Sequence, residues 1–209
     1  MDLKIIKDTC YKGTRIILGD SKPRFLEACR NYLRLNGFTE IQIPIIQQQE
    51  IFEGKVGPEN NNMMFNFRDR GNRELCLAPE YTAIIQKLSK THFNNKKDVK
   101  LFYVAECFRG EKPQRGRYRQ FTQLGVEILN PTVNWTEELL DYSTHIISSI
   151  TDNYELNREV KRGLDYYKDG QGFEISCPDL GSSKQVCGGG QYEGGIGFAV
   201  GVDRLLDLK

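Results

Sequence analysis

Residues 107–127 read CFRGEKPQRGRYRQFTQLGVE. Five cations, Arg109, Lys112, Arg115, Arg117 and Arg119, crowd into eleven of these positions, and a segment with strand-like alternation follows. Alternate side chains of a strand share a face. One face of 119–129 carries Arg119, Phe121, Gln123, Gly125 and Glu127, and the other Gln120, Thr122, Leu124, Val126 and Ile128. The second face turns apolar and belongs to a core. The first combines a cation, a ring, an amide, a glycine gap and a carboxylate, a set that is costly to bury without partners. It reads as a pocket floor, with a ring to stack on, a gap for a ligand and polar groups to read it. A strand over 99–109 precedes it, so most of the cations ride on the connecting loop, 110–118. Guanidinium groups grip phosphate oxygens in pairs. An arginine-rich loop over a stacking ring therefore points to a nucleotide. The rival reading is a solvated charged hairpin, and the polar face of the second strand weighs against it.

The rest of the chain bounds this picture. Its 209 residues, 39% hydrophobic and 27% charged, suit one domain, 1–209, with its own core. A net charge of +1 excludes a global pull on nucleic acid, so a polyanion site must be local. The N-terminal MDLKIIKDTC lacks the apolar run of a signal peptide, and no stretch has the length of a membrane span. The six cysteines form no CxxC pair and read as reduced thiols of a cytoplasmic protein. The two histidines, without ligand spacing, weigh against a zinc site.

Periodicity predicts a helix over 21–37, with Pro23 in its first turn and Gly37 at its stop. Ile41, Ile43 and Ile45 alternate like a strand that Pro44 confines to an edge, a bulge or an interface. A loop is expected over 54–62, then a hairpin turning at Arg70-Gly71-Asn72 and a helix over 82–90. A further helix, capped by Asn134 or Thr136, should run to about Asn153. Glycine-rich strands follow, and GFAVG leads into a short terminal helix. The fold class is α+β, a mainly antiparallel β-sheet flanked by helices.

The order of residues also carries a resemblance. FRGEKPQRGRYRQFTQLGVE resembles the second signature motif of class II aminoacyl-tRNA synthetases, in the form used by the histidyl branch. LAPEYTA (77–83) resembles that branch's amino-group-binding segment, RGLDYY (162–167) its own signature, and VCGGGQYEGG (186–195) its pocket floor. GFAVGVDRLL (197–206) resembles the third class II motif, and helix 21–37 with the Pro44 segment the first, a dimer interface. The resemblance covers almost the whole chain.

It implies a set of roles. Arg109, Arg162 and Arg204 are the catalytic cations, with Arg162 opposite the reacting phosphate. Arg109 meets the α-phosphate and the amino-acid carboxylate, Glu111 lies beside the nucleotide, Arg117 and Arg204 hold the ATP tail, and Phe121 stacks on adenine. Glu80 and Thr82, helped by Gln123, hold the α-amino group. Glu127 and Tyr167 read an imidazole, with Tyr166 in the same pocket. The implied substrates are ATP, with Mg2+, and an amino acid, histidine; the implied acceptor is tRNA, weakly bound, and the implied assembly a homodimer. The chemistry agrees with the residues: a carboxylate attacking a phosphate needs fixed positive charge and positioning but no general base.

The chain departs from the pattern as well. About thirty residues separate the second motif from RGLDYY, where the family inserts a helical domain, and only five follow Arg204, where an anticodon-binding domain is usual. Tyr81 stands where the family has glycine and is expected to narrow the amino-acid entrance. Gln191 and Lys12 each replace an arginine. The same core suits two other functions: aminoacylation of a carrier protein or small molecule, or regulation as a non-catalytic paralogue. Retention of Arg109, Arg117, Arg162 and Arg204 argues against the last. A fragment of a longer enzyme would read the same way.

Overall fold

Two short strands, β1 (Lys4–Ile6) and β2 (Ile16–Leu18), pair with each other and lead into helix α1 (Ser21–Leu35). Phe25, Leu26, Cys29 and Leu33 recur at helical spacing along α1 and are buried. Gly37 adopts φ +83°, the left-handed turn that stops the helix, and the Phe38 amide donates back to the Leu33 carbonyl at 3.0 Å. The alternating segment around Pro44 does not form one strand. It splits into β3 (Thr39–Glu40) and β4 (Ile46–Gln48), with Pro44 in the break, because proline has no N–H for a ladder. β5 (Asn66–Arg68) and β6 (Glu74–Leu77) form the expected hairpin, with Asn72 at φ +61° in the turn, and β4 pairs with the far side of β6.

This computed structural model describes residues 4–6, 10–53, 62–160, 167–181 and 184–208. Most of the predicted loop at 54–62 lies outside them, as do Arg162 and Tyr166. Helix α2 (Thr82–Thr91) follows the hairpin, then the long pair β7 (Val99–Phe108) and β8 (Gln120–Leu129). Helix α3 (Thr136–Ser148) begins where the Asn134 side chain accepts the Thr136 amide at 3.0 Å. It stops short of the expected Asn153, and a strand that the sequence pattern did not announce, β9 (Glu155–Val160), comes next. ELNREV lacks clean apolar alternation; it becomes a strand because its neighbour offers an open edge, so pairing overrides propensity. β10 (Tyr167–Ser176), β11 (Gln185–Tyr192), β12 (Gly195–Gly201) and α4 (Val202–Leu206) complete the described chain.

The main sheet runs β3-β7-β8-β12-β11-β10-β9, antiparallel except at the β3–β7 edge. Its faces differ sharply. One presents Phe102, Leu124, Val126, Ile128, Phe173, Ile175, Ile196, Phe198 and Val200 to a core shared with α1, α3 and α4. Leu124, Val126 and Ile128 are fully buried there, each worth about 1.5–3 kcal/mol of transfer free energy. The alternation read from β8 is thus borne out. The other face is paved with small residues in cross-strand rows: Gly188, Ala199 and Gly125 in one, Gly190 and Gly197 beside Glu127 in the next. Among the described residues no helix is long and apolar enough to cross a membrane.

Candidate active site

The glycine-paved face is where the candidates Glu80, Thr82 and Glu127 gather. Glu127 is 1% exposed. Its carboxylate lies over β12, and position 197 must be glycine for that: an added Cβ would overlap Glu127 Oε2 and stand 2.5 Å from the Val126 carbonyl. The Tyr192 hydroxyl donates to Glu127 Oε2 at 2.7 Å, and the Thr82 side chain hydrogen-bonds the same carboxylate. Burial is the main force on its ionisation and pushes its pKa up to about 8; the nearby Glu80 carboxylate adds to the rise, while Tyr192 and Thr82 oppose it. Glu80 itself accepts the Thr82 and Ala83 amides at 2.7 and 3.0 Å, satisfying two donors at the start of α2. Glu80, Thr82 and Glu127 therefore do come together. Gln123, two rows along β8 from Glu127, accepts from the Cys107 thiol at 3.2 Å.

Two expectations about this pocket are corrected. The gap at Gly125 is not vacant: the ring of Tyr103, directly opposite on β7, fills it, and an added Cβ would overlap that ring. Tyr81 does not stand at an entrance. It is fully buried, its ring centroid 5.1 Å from that of Tyr103 and its hydroxyl donating to the Glu106 carbonyl at 2.8 Å.

The arginine loop sits at the end of the same face. Arg109 donates Nε to the Pro79 carbonyl at 2.8 Å and lies 5.2 Å from the Phe121 ring centroid. Glu111 lies between Arg109 and Arg117, at 4.0 and 3.8 Å. These are loose pairs, too long for hydrogen bonds, so both guanidinium groups keep donors for an anion. Gly116, at φ +75°, forms the loop tip, and its carbonyl accepts Arg204 Nε at 2.6 Å, while Arg204 Nη1 donates to the Gln185 carbonyl at 2.6 Å. Burial lowers the Arg204 pKa, and Arg117 and Arg109 add like-charge repulsion that Glu111 partly offsets. The hairpin is thus anchored to α4 rather than merely solvated, and Arg109, Glu111, Arg117, Phe121 and Arg204 form one group. Arg119 departs from expectation: it leaves the pocket and donates to the Tyr11 hydroxyl at 2.7 Å and the Lys12 and Glu111 carbonyls at 3.2 and 3.0 Å.

Of the RGLDYY residues, Tyr167 is placed by its backbone alone, opposite Tyr192 across β10 and β11. Tyr192, the donor to Glu127, is not among the candidates the sequence points to. Its signal was a lone aromatic inside a glycine-rich strand, GGGQYEGG. Among the described residues no three His, Cys, Asp or Glu side chains are grouped to hold a metal ion.

Comparison with known proteins settles the family. The model of the histidyl-tRNA synthetase family matches residues 22–139. The chain belongs to the histidyl-tRNA synthetase family. A histidine–tRNA ligase of Methanococcus vannielii is 37% identical over 151 residues, 70% of this chain and 36% of that relative. One from Natranaerobius thermophilus is 26% identical over 307 aligned positions, 93% of this chain and 73% of the relative. That alignment is far longer than the 209 residues here, so this histidyl-tRNA synthetase homologue carries a long segment with no counterpart in the chain. The apo histidyl-tRNA synthetase of S. aureus superposes with a TM-score of 0.73 at 27% identity, covering 97% of this chain and 70% of that one. It shares the α+β fold with its mainly antiparallel sheet. At 14% identity, a Bacillus halodurans protein described as an ATP phosphoribosyltransferase regulatory subunit/histidyl-tRNA synthetase shares the fold, with a TM-score of 0.76. The chain spans about a third of the length of the M. vannielii relative.

Proposed function

We propose that this chain activates histidine with ATP and transfers the histidyl group to tRNA. One observation carries the reading: a buried carboxylate, Glu127, held by Tyr192 and Thr82, shares a face of β8 with Phe121, whose ring meets Arg109 of the Arg109–Glu111–Arg117–Arg204 group. The first part suits an imidazole N–H and the second a triphosphate. In the reaction, a histidine carboxylate oxygen forms a bond to the α-phosphorus, and the bond to pyrophosphate breaks. A tRNA hydroxyl then takes the acyl group, and AMP leaves. Arg109 stands where the two anions must meet, and Arg117 and Arg204 suit the β- and γ-phosphates. Phe121 offers the face for adenine. Glu80 and Gln123 serve the α-amino group, with Thr82 shared between it and Glu127. Arg162, Tyr166 and Tyr167 enter this reading through the RGLDYY resemblance alone, Arg162 as the cation for the reacting phosphate and Tyr167, with Tyr166, as a reader of the imidazole. Mg2+ would accompany the ATP phosphates as their counter-ion, and Glu111, between Arg109 and Arg117, would be an acid available to hold it. Residues 1–209 act as one catalytic unit, in the cytoplasm. Exposed Ile46 and Phe67 on the β4–β6–β5 sheet, with exposed Ile45 just before β4, support a homodimer.

The test is ATP–pyrophosphate exchange with each of the twenty amino acids in turn, with magnesium. Exchange with histidine alone is expected. Exchange with another amino acid would overturn the role of Glu127, and none at all would overturn the activity.

A further inference from the structure

Arg204 shares its helix turn with two acids. Asp203 precedes it, and Asp207 follows at i+3, the spacing at which side chains meet on a helix surface. A guanidinium paired with such a carboxylate is lost to a phosphate. Both acids, however, are engaged elsewhere. Arg15 donates Nη1 to Asp207 Oδ1 at 2.8 Å and Nη2 to Asp203 Oδ1 at 3.1 Å. Lys22 reaches both Asp203 oxygens, at 3.1 and 3.3 Å, and the Thr122 amide donates to Asp203 Oδ2 at 2.5 Å. The Tyr118 hydroxyl donates to Asp207 Oδ2, and the Arg115 guanidinium reaches the Asp207 carbonyl at 3.5 Å. The Arg15 side chain is 8% exposed, and its guanidinium lies 3.7 Å from the Tyr118 ring centroid. One side chain from the N-terminal segment thus joins α4 to the arginine loop. Arg204, relieved of its neighbours, turns to the loop tip at Gly116.

We infer that Arg15 is a positioning residue for the nucleotide site: it occupies Asp203 and Asp207 so that Arg204 stays available to phosphate, and it ties the arginine loop to α4 through Tyr118. The inference rests on the ATP reading above. Without Arg15, Asp207 Oδ1 loses its partner and can turn toward Arg204 while Oδ2 stays with the Tyr118 hydroxyl, and the loop loses its stacking partner. The Asp203 carboxylate, still held by Lys22 and the Thr122 amide, is perturbed less.

The experiment compares the full chain, Arg15→Ala, Asp207→Asn and the double variant in ATP–pyrophosphate exchange, with thermal unfolding as the folding control. Arg15→Ala should raise the KM for ATP about 10-fold while the KM for histidine stays within about 2-fold, the size of coupling usual within one ion-pair network. The double variant should recover most of that loss, because the competing carboxylate is gone. An equal rise in both KM values, or a double variant no better than Arg15→Ala, would overturn the inference. A wild-type chain without exchange would overturn the ATP reading instead. In that case trypsin decides, as it does if Arg15→Ala turns over too poorly to measure: without nucleotide, cleavage after Arg115 and Arg117 should run about 10-fold faster in Arg15→Ala, or in Arg15→Lys if alanine prevents folding. Unchanged cleavage there would refute the tie between loop and helix.

Discussion

The Tyr192 hydroxyl meets Glu127 Oε2 at 2.7 Å although their strands are not neighbours; β12 lies between β11 and β8. The two side chains reach each other over β12 because it carries Gly195 and Gly197 where they cross. An added Cβ at 195 would stand 2.5 Å from the Tyr192 hydroxyl oxygen, and one at 197 would overlap the Glu127 carboxylate. Four residues on three strands therefore act as one device, in which an acid is buried and one of its oxygens is already occupied. Such arrangements select ligands strongly, since a substrate that leaves a buried polar group unpaired is rejected.

Tyr192→Phe removes one donor and keeps the ring. The KM for histidine should rise up to roughly 10-fold, the upper end for one hydrogen bond, with the KM for ATP nearly unchanged. The Tyr192 hydrogen bond holds the Glu127 pKa down. The pH profile of kcat/KM for histidine should therefore move to higher pH in this variant. A profile that stays in place would make Tyr192 a packing residue only.

Glu127 also sets a pH dependence of stability. Its carboxyl is raised from 4.5 to about 8, chiefly by burial. Between those values the folded chain holds a proton that the unfolded chain releases, so this contribution is complete below about pH 4.5 and lost as pH rises through about 8. Thermal unfolding of the ligand-free protein should show Tm falling across that window. Glu127→Gln should flatten the slope, and it should cost roughly 10- to 100-fold in kcat/KM for histidine with a smaller effect on ATP. Equal losses toward both substrates would mark Glu127 as structural.

Gly197→Ala is expected to destabilise the fold by about 1–3 kcal/mol through overpacking against Glu127 and the β8 backbone. Gly181→Ala is the matching control, since a Cβ there meets nothing within 4 Å. Chemical denaturation of the two variants tests the contrast. Similar stabilities would mean that β8 and β12 separate to admit the methyl group.

Arg162→Ala should slow adenylate formation roughly 100- to 1,000-fold, the usual cost of losing one preorganised donor at a reacting centre, while ATP binding stays close to wild type. Single-turnover kinetics with a parallel binding titration separates the two quantities. Unchanged turnover would remove Arg162 from the mechanism.

Local rules made much of this legible in the sequence. The period-two pattern of β8 placed Leu124, Val126 and Ile128 on the core face, because strand geometry dictates which side chains share a side. Glycine and asparagine marked the ends of α1 and of the β5–β6 hairpin, because so few residues tolerate positive φ. The motifs FRGEKPQRGRYRQFTQLGVE, LAPEYTA and GFAVGVDRLL already resembled the family, and of the candidates they name, Glu80, Thr82 and Glu127 lie together and Arg109, Glu111, Arg117 and Arg204 form a second group. What the sequence could not decide were matters of partnership between distant segments. ELNREV became a strand because β10 left an edge open. Tyr103 filled the space above Gly125, Arg119 turned to Tyr11, and Arg15 took the acids beside Arg204. Backbone periodicity is local and repeats within a few residues. The partner of a buried charge or the occupant of a gap depends on which chain segments the packed core brings within about 4 Å, and only the tertiary structure decides that.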